Sequence, residues 1–243
     1  MEETQNTVEV NVRGTFLHLV AYTRALELCA RMNRETEVLD FIDGIPKGAV
    51  LYDLGACEGR FALYAALRNV RCYAFEPESS NFAALIRNVE LNGQQARAFL
   101  TPLNLAVGER NGSATLQIGQ PWAGGHQKVV EQESKRVDLS FNFITTQTVQ
   151  VVALDDLIFE NKLPIPEFLK VDVDGSEIAF VRGAAKTLKR EELKGVMFEL
   201  QERDASYEEV VSFLRSSGFA IVDRFEVEPD LFNVWFRRLE AHA

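Results

Sequence analysis

What most constrains the fold of this chain is a rhythm that begins at Ala49. A short apolar run, Ala49–Leu54, is followed by a helical segment from Gly59 to Asn69. A second apolar run, Val70–Phe75, precedes a second helical segment, Ser79–Asn92, and a third strand lies within Ala98–Val107. Strands apolar on both faces and separated by helices pair in parallel, because only a crossover connection reaches a parallel neighbour. The rhythm resumes further on. Phe168–Val173 and Val196–Leu200 read as strands, Ser176–Lys189 and Tyr207–Arg215 as helices. The last two strands, Phe219–Val227 and Phe232–Leu239, have almost no chain between them and are expected to be antiparallel. The expected fold is α/β: a mostly parallel twisted sheet with helices on both faces and a C-terminal antiparallel strand pair.

Two regions stand outside this rhythm. Residues 1–46 read as an N-terminal tail and helical extension, since Phe16, Leu19, Val20, Leu26 and Met32 recur at roughly helical spacing from Thr15, a suitable cap, to about Glu37. Such a helix is compatible with a lid, a homodimer contact or plain packing. Phe41–Gly48 reads as a linker, and residues 47–243 form the main domain. Within it an insertion of about 113–152 carries two half-exposed strands, Ser113–Ile118 and Thr148–Val152. Between them a long polar stretch contains Pro121–His126. A loop of that length in a compact domain is usually functional, so residues 119–147 are expected to border a substrate pocket.

Composition excludes several classes. The formal net charge of −10 repels a phosphate backbone, so no nucleic-acid partner is expected. Cys29, Cys57 and Cys72 are odd in number and contain no CxxC pair, which argues against a disulfide framework or a cysteine zinc site. No run approaches the ~20 apolar residues of a membrane span. The polar, acidic N-terminus is unlike a secretory leader, and a cytoplasmic location is expected.

The sharpest local motif is Asp53-Leu-Gly55-Ala-Cys-Glu-Gly59, placed directly after the first core strand and opening a helix. Glycines there admit a ligand close to the backbone at the carboxyl end of a central strand. The spacing is neither GxGxxG nor a P-loop. Asp53 opposes a phosphate but suits an ammonium or sulfonium group. Glu76 ends the second strand, where an acid can accept both hydroxyls of a ribose. An adenosine with a cationic amino-acid tail satisfies both, and that ligand is S-adenosylmethionine. The bland alternative is a tight turn with a solvated strand-end acid.

The second motif is Phe168-Leu-Lys-Val-Asp-Val-Asp-Gly-Ser-Glu177. Lys170 and Asp172 are two residues apart and share a strand face. Ser176 and Glu177 are read equally well as helix-capping groups or as functional ones.

Together, Val-Leu-Tyr-Asp-Leu-Gly-Ala, Ala-Phe-Glu-Pro, Ala-Val-Gly-Glu109 with Gly112, Ala153-Leu-Asp-Asp156 and the Leu-Lys-Val-Asp-Val-Asp-Gly-Ser-Glu177 run resemble the FkbM-type methyltransferases from about Val50 to Glu199. The resemblance implies a class I, Rossmann-like fold. It also implies methylation from S-adenosylmethionine, usually of a hydroxyl on a sugar, glycolipid or polyketide-like product, leaving S-adenosylhomocysteine. The implied partner is a small-molecule or glycan acceptor. The residues expected at the donor are Asp53, Gly55, Ala56, Gly59, Glu76, Asn104 and Asp172. Hydroxyls are weak nucleophiles, so a proton acceptor is expected among Asp172, Asp174, Glu177, Glu199 and His126, with Lys170 beside them. His126 is attractive because an imidazole titrates near neutrality, although a lone loop histidine is more often merely solvated. The acid cluster has no matching histidine spacing, and no metal is expected. An N-methyltransferase and a non-catalytic S-adenosylmethionine-binding module are the alternatives.

Overall fold

The computed structural model describes residues 6–130, 142–160 and 163–240. It opens with β1 (Thr7–Val12) and β2 (Thr15–Val20), then α1 (Arg24–Cys29) and α2 (Thr36–Asp43). The α/β body follows with β3 (Val50–Leu54), α3 (Arg60–Leu67), β4 (Arg71–Phe75), α4 (Ser79–Leu91), α5 (Gly93–Phe99) and β5 (Leu100–Leu103). Next come β6 (Ala106–Val107), β7 (Gly112–Ile118), β8 (Lys128–Val130), β9 (Thr145–Val152) and α6 (Leu154–Phe159). The chain closes with β10 (Phe168–Val171), α7 (Glu177–Gly183), a 3-10 turn (Thr187–Lys189), β11 (Gly195–Gln201), α8 (Ala205–Ser216), β12 (Phe219–Glu228) and β13 (Leu231–Arg238).

The main sheet has seven strands in the order β12-β13-β11-β10-β3-β4-β5, and the β6-β9-β7-β8 sheet is the insertion. The pairs β10–β3, β3–β4, β4–β5 and β10–β11 are parallel, whereas β13 is antiparallel to β11 and β12. The chain runs outward from β3 through β4 to β5, then crosses back to β10. The reversal between β3 and β10 opens a crevice at their carboxyl ends, where open α/β sheets bind ligands.

Every residue of β3 is buried, which is why Val50–Leu54 reads as an unbroken apolar run. Its side chains alternate. Val50, Tyr52 and Leu54 join the core under α7 and α8, while Leu51 joins the core under α2 and α3. Asp53 points to that second side, and Lys170 lies directly opposite it in the β3–β10 register.

The expected helix from Thr15 is replaced by the β1–β2 hairpin. Phe16 and His18 are exposed while Leu17 and Leu19 are buried, a period of two that the helical spacing of more distant apolar residues concealed. The turn places both Arg13 (φ 51°) and Gly14 (φ 86°) in the left-handed region, as a two-residue hairpin requires. The outer edge of β2 is covered by α4. Asn88 Oδ1 accepts from Val20 N at 2.8 Å, and Asn92 brackets His18 through its N–H and C=O. Leu17 and Leu19 enter the same core as Phe41 of α2 and Leu63 of α3. The supposed linker at Phe41 is therefore the buried end of a helix. The Ser79–Asn92 helix ends at Leu91 as α4, Gly93 just beyond it at φ 70° opens the short α5, and the long polar stretch contains β8; positions 131–141 of it lie outside the described residues. Among the described residues, no helix is long and apolar enough to cross a membrane.

Candidate active site

A cleft of about 900 Å³ lies over the carboxyl ends of β3, β4 and β10. The glycine loop forms its floor. Gly55 N and Ala56 N donate to the Phe75 carbonyl at 3.0 and 2.9 Å, tying the loop to the end of β4. Gly55 has φ +81°, and a Cβ there would overlap the Asp172 carbonyl oxygen. Glycine thus lets the chain leaving β10 lie directly against the loop. Gly59, also at φ +81°, caps α3, and a Cβ on it would overlap Leu85 Cδ1; it serves helix packing, away from the cleft lining.

Glu76 is buried at the end of β4. Its carboxylate accepts from Cys57 N and Glu78 N, both at 2.8 Å. A carboxylate has about four acceptor positions, so two remain for a diol. Burial raises its pKa to about 8, against the opposing pull of Lys128 and the two amides. Asn104 does not line the cleft. Its Nδ2 donates to the Glu76 and Pro77 carbonyls at 2.8 and 3.0 Å and so braces the acid-bearing turn.

The other end of the cleft is ionic. Lys170 Nζ lies 3.3 Å from Asp53 Oδ1 and 3.2 Å from Asp172 Oδ2. Asp53 sits beneath the cleft, almost fully buried, and reaches it only through Lys170. Burial pushes the Asp53 carboxyl up despite the lysine. Burial also pushes Asp172 up, but the Lys170 charge and hydrogen bond, with smaller help from His126 and Arg60, outweigh it and hold Asp172 below the usual carboxylate range. Lys170 is disfavoured by burial, yet Asp53, Asp172 and Glu35 keep it protonated.

Carboxylate oxygens of Glu35, Asp172 and Glu199 lie within 4.8 Å of one another. Glu199, near the end of β11, meets Asp172 across adjacent strand ends because β10 and β11 pair in parallel. Glu35 was not anticipated. It arrives from the turn before α2, with φ 53°, and is held by Arg60 at 2.7 Å. Arg60 also grips Glu58 at 2.9 Å. The signal available in the sequence was Arg60 itself, a cation in the first turn of α3, where the helix dipole disfavours it unless acids surround it. His126 lines the cleft from the insertion and is exposed; its N–H donates to Gln120 Oε1 at 3.0 Å. Asp174 accepts from Lys128 N at 3.2 Å, and Glu177 folds back onto Gly175 N at 2.9 Å, outside the cleft lining.

The N-terminal segment and the insertion roof the cleft together. Thr23 Oγ1 donates to the Ala123 carbonyl at 2.7 Å, and Gly124 N donates to Asn81 Oδ1 at 2.8 Å. Lys128 Nζ closes onto Glu78 at 2.7 Å. Ser176, wholly buried, lines the same cleft, and its hydroxyl has no hydrogen-bond partner among the described residues.

Comparison with known proteins agrees with this geometry. The family described as "Methyltransferase FkbM domain" matches residues 53–221. The 31-O-demethyl-FK506 methyltransferase FkbM of Streptomyces tacrolimicus is 29% identical over 193 residues, covering 72% of this chain and 74% of that protein. The hexuronic acid methyltransferase AglP of Haloferax volcanii is 25% identical over 140 residues, covering 58% and 52%. Among solved structures, a methyltransferase FkbM from Methylobacillus flagellatus KT superposes with a TM-score of 0.54 at 16% identity. That superposition covers 78% of this chain and 43% of the solved one, and it speaks to the fold. With the family span covering residues 53–221, over a mostly parallel seven-stranded sheet with a cleft at its switch point, the chain belongs to the FkbM-type methyltransferases.

Proposed function

We propose that the protein transfers a methyl group from S-adenosylmethionine to a hydroxyl of a small acceptor, a sugar, glycolipid or polyketide-like molecule. The residues present fit the donor. Glu76 has acceptor capacity left for the ribose hydroxyls, Gly55 and Ala56 present a low floor, and Asp53 with Asp172 supplies negative charge near the cationic tail. When bound, S-adenosylmethionine supplies a methyl carbon already activated by its sulfonium.

The observation that carries hydroxyl specificity is the Asp172–Glu199–Glu35 carboxylate group around Lys170. The chain's own task is to hold an acceptor oxygen in line and accept its proton. Asp172, kept anionic by Lys170, is a good hydrogen-bond acceptor and a poor base, so it steers the acceptor hydroxyl. Glu199 stands beside it to take the proton. The relatives' names point the same way: one specifies the 31-O position of demethyl-FK506, another a hexuronic acid.

The test is a panel of monosaccharides, uronic acids and hydroxylated macrolactones incubated with S-adenosylmethionine, with products read by mass spectrometry. An O-methyl product is expected. Glu199→Gln, which removes the proton acceptor and leaves the donor-facing residues in place, should lower its formation by about 10²–10⁴ while S-adenosylhomocysteine binding stays nearly unchanged. Methylation of amines alone, or full activity in Glu199→Gln, refutes the reading.

A further inference from the structure

Ser176 occupies the position before α7 where a serine normally accepts a hydrogen bond from the helix's first amides. Here it makes no such cap: its side chain bonds none of them, and its backbone sits at φ −95° and ψ 13°. The residue is wholly buried, its Oγ meets no partner among the described residues, and it lines the cleft. A buried hydroxyl without a partner is costly, and such groups are rare enough to need a reason.

The surroundings supply one. Ser176 N donates to the Val173 carbonyl at 3.2 Å, placing the residue one turn from Val173. Val173 and Leu105 pack with Phe75 and Val107 in one apolar cluster, and all four line the cleft. Leu103, just before Leu105, accepts the Glu76 N–H at 3.0 Å, so this apolar wall adjoins the ribose-binding acid. A flat heteroaromatic base attached to that ribose finds its faces covered there. Its polar edge would be stripped of water and needs a partner. Asn104, the residue first expected to serve the donor, does not line the cleft, and its Nδ2 is held by the Glu76 and Pro77 carbonyls.

We infer that the Ser176 hydroxyl is the group reserved for the 6-amino edge of the cofactor's adenine. The inference rests on the donor being S-adenosylmethionine. It makes two effects of Ser176→Ala opposite in sign. Removing an unpartnered buried hydroxyl relieves the ligand-free protein, so its melting temperature should hold or rise. Removing the base contact should weaken S-adenosylhomocysteine by about tenfold.

The experiment is calorimetry on the full chain with two probes, S-adenosylhomocysteine and its 6-deamino purine analogue, whose 6-position carries only hydrogen in place of the amine and so can neither donate to nor accept from a hydroxyl. The wild type should prefer the adenosyl compound, and Ser176→Ala should flatten that preference without a fall in the ligand-free melting temperature. A preference that survives in Ser176→Ala overturns the inference. So does a fall in ligand-free stability with affinity intact, which would mark a purely structural serine. A wild type that binds neither probe refutes the donor assignment itself, a result distinguishable from the others.

Discussion

Replacing Lys170 by methionine tests the ionic end of the cleft, because the lysine is the cation between two aspartates. Its side chain is 6% exposed, that of Asp53 2%, and their charged atoms are 3.3 Å apart. At an effective dielectric of ~20, a pair at that distance attracts by roughly 5 kcal/mol. Removing one member of a buried pair costs about 3–5 kcal/mol, since the other charge stays desolvated. Asp172, 29% exposed, recovers part of its loss from water. The cost therefore falls mainly on Asp53, whose carboxyl is already raised by burial with the lysine present. An acid whose folded pKa is raised loses stability as pH climbs from its unfolded value through its folded value. Lys170→Met should thus be destabilised by about 3–5 kcal/mol at pH 7, and by less as the pH falls toward 5. Adding Asp53→Asn removes the stranded charge and should restore most of the loss. Urea denaturation of the single and double variants at both pH values gives the numbers. A loss below about 1 kcal/mol, the scale of an exposed pair, or one that grows on acidification, refutes the reasoning.

The remaining predictions concern the donor end. Burial raises Glu76 to about 8, and on the proposed reading ribose hydroxyls donate to its anion, so below that pH binding should release a proton. Affinity for S-adenosylhomocysteine should rise up to about tenfold per pH unit toward pH 8 and then level off. Calorimetry in buffers of different ionisation enthalpy reads the released proton, and none at pH 7 counts against Glu76. Gly55→Ala forces a Cβ onto the Asp172 carbonyl at φ +81°. It should lower the melting temperature by several degrees and abolish S-adenosylhomocysteine binding, checked by thermal melting with and without ligand.

The α/β body was legible because its central strands, β3 and β10 above all, are buried on both faces, and an unbroken apolar run such as Val50–Leu54 has few other uses. Lys170 opposite Asp53 was half legible: spacing put Lys170 and Asp172 on one face, but only strand register brings in Asp53. The N-terminal hairpin was misread because alternation over six residues competes with a longer apparent helical spacing, and the deciding signal was the Arg13-Gly14 turn. Glu35 was invisible for another reason. Its place beside Asp172 depends on contacts across 25 residues to Arg60, and no local pattern encodes them. Asn104 shows the converse, a residue expected at the donor whose Nδ2 instead braces the turn that carries Glu76.

The two extremities of the chain enclose the ionic end of the cleft. Glu35 and Glu37 come from before the family span of 53–221, and Glu226 and Glu228 from after it, while Gly55, Glu76 and Ser176 lie within it. On the proposed reading, Asp172, Glu199 and the insertion meet the acceptor from within that span, and these four acids add a rim encoded apart from the donor residues. Drift at either extremity can then retune which molecule is methylated without disturbing the donor machinery. Relatives with a shared middle and unrelated ends would accept different substrates, and exchanging the ends between them is the natural route to a new specificity.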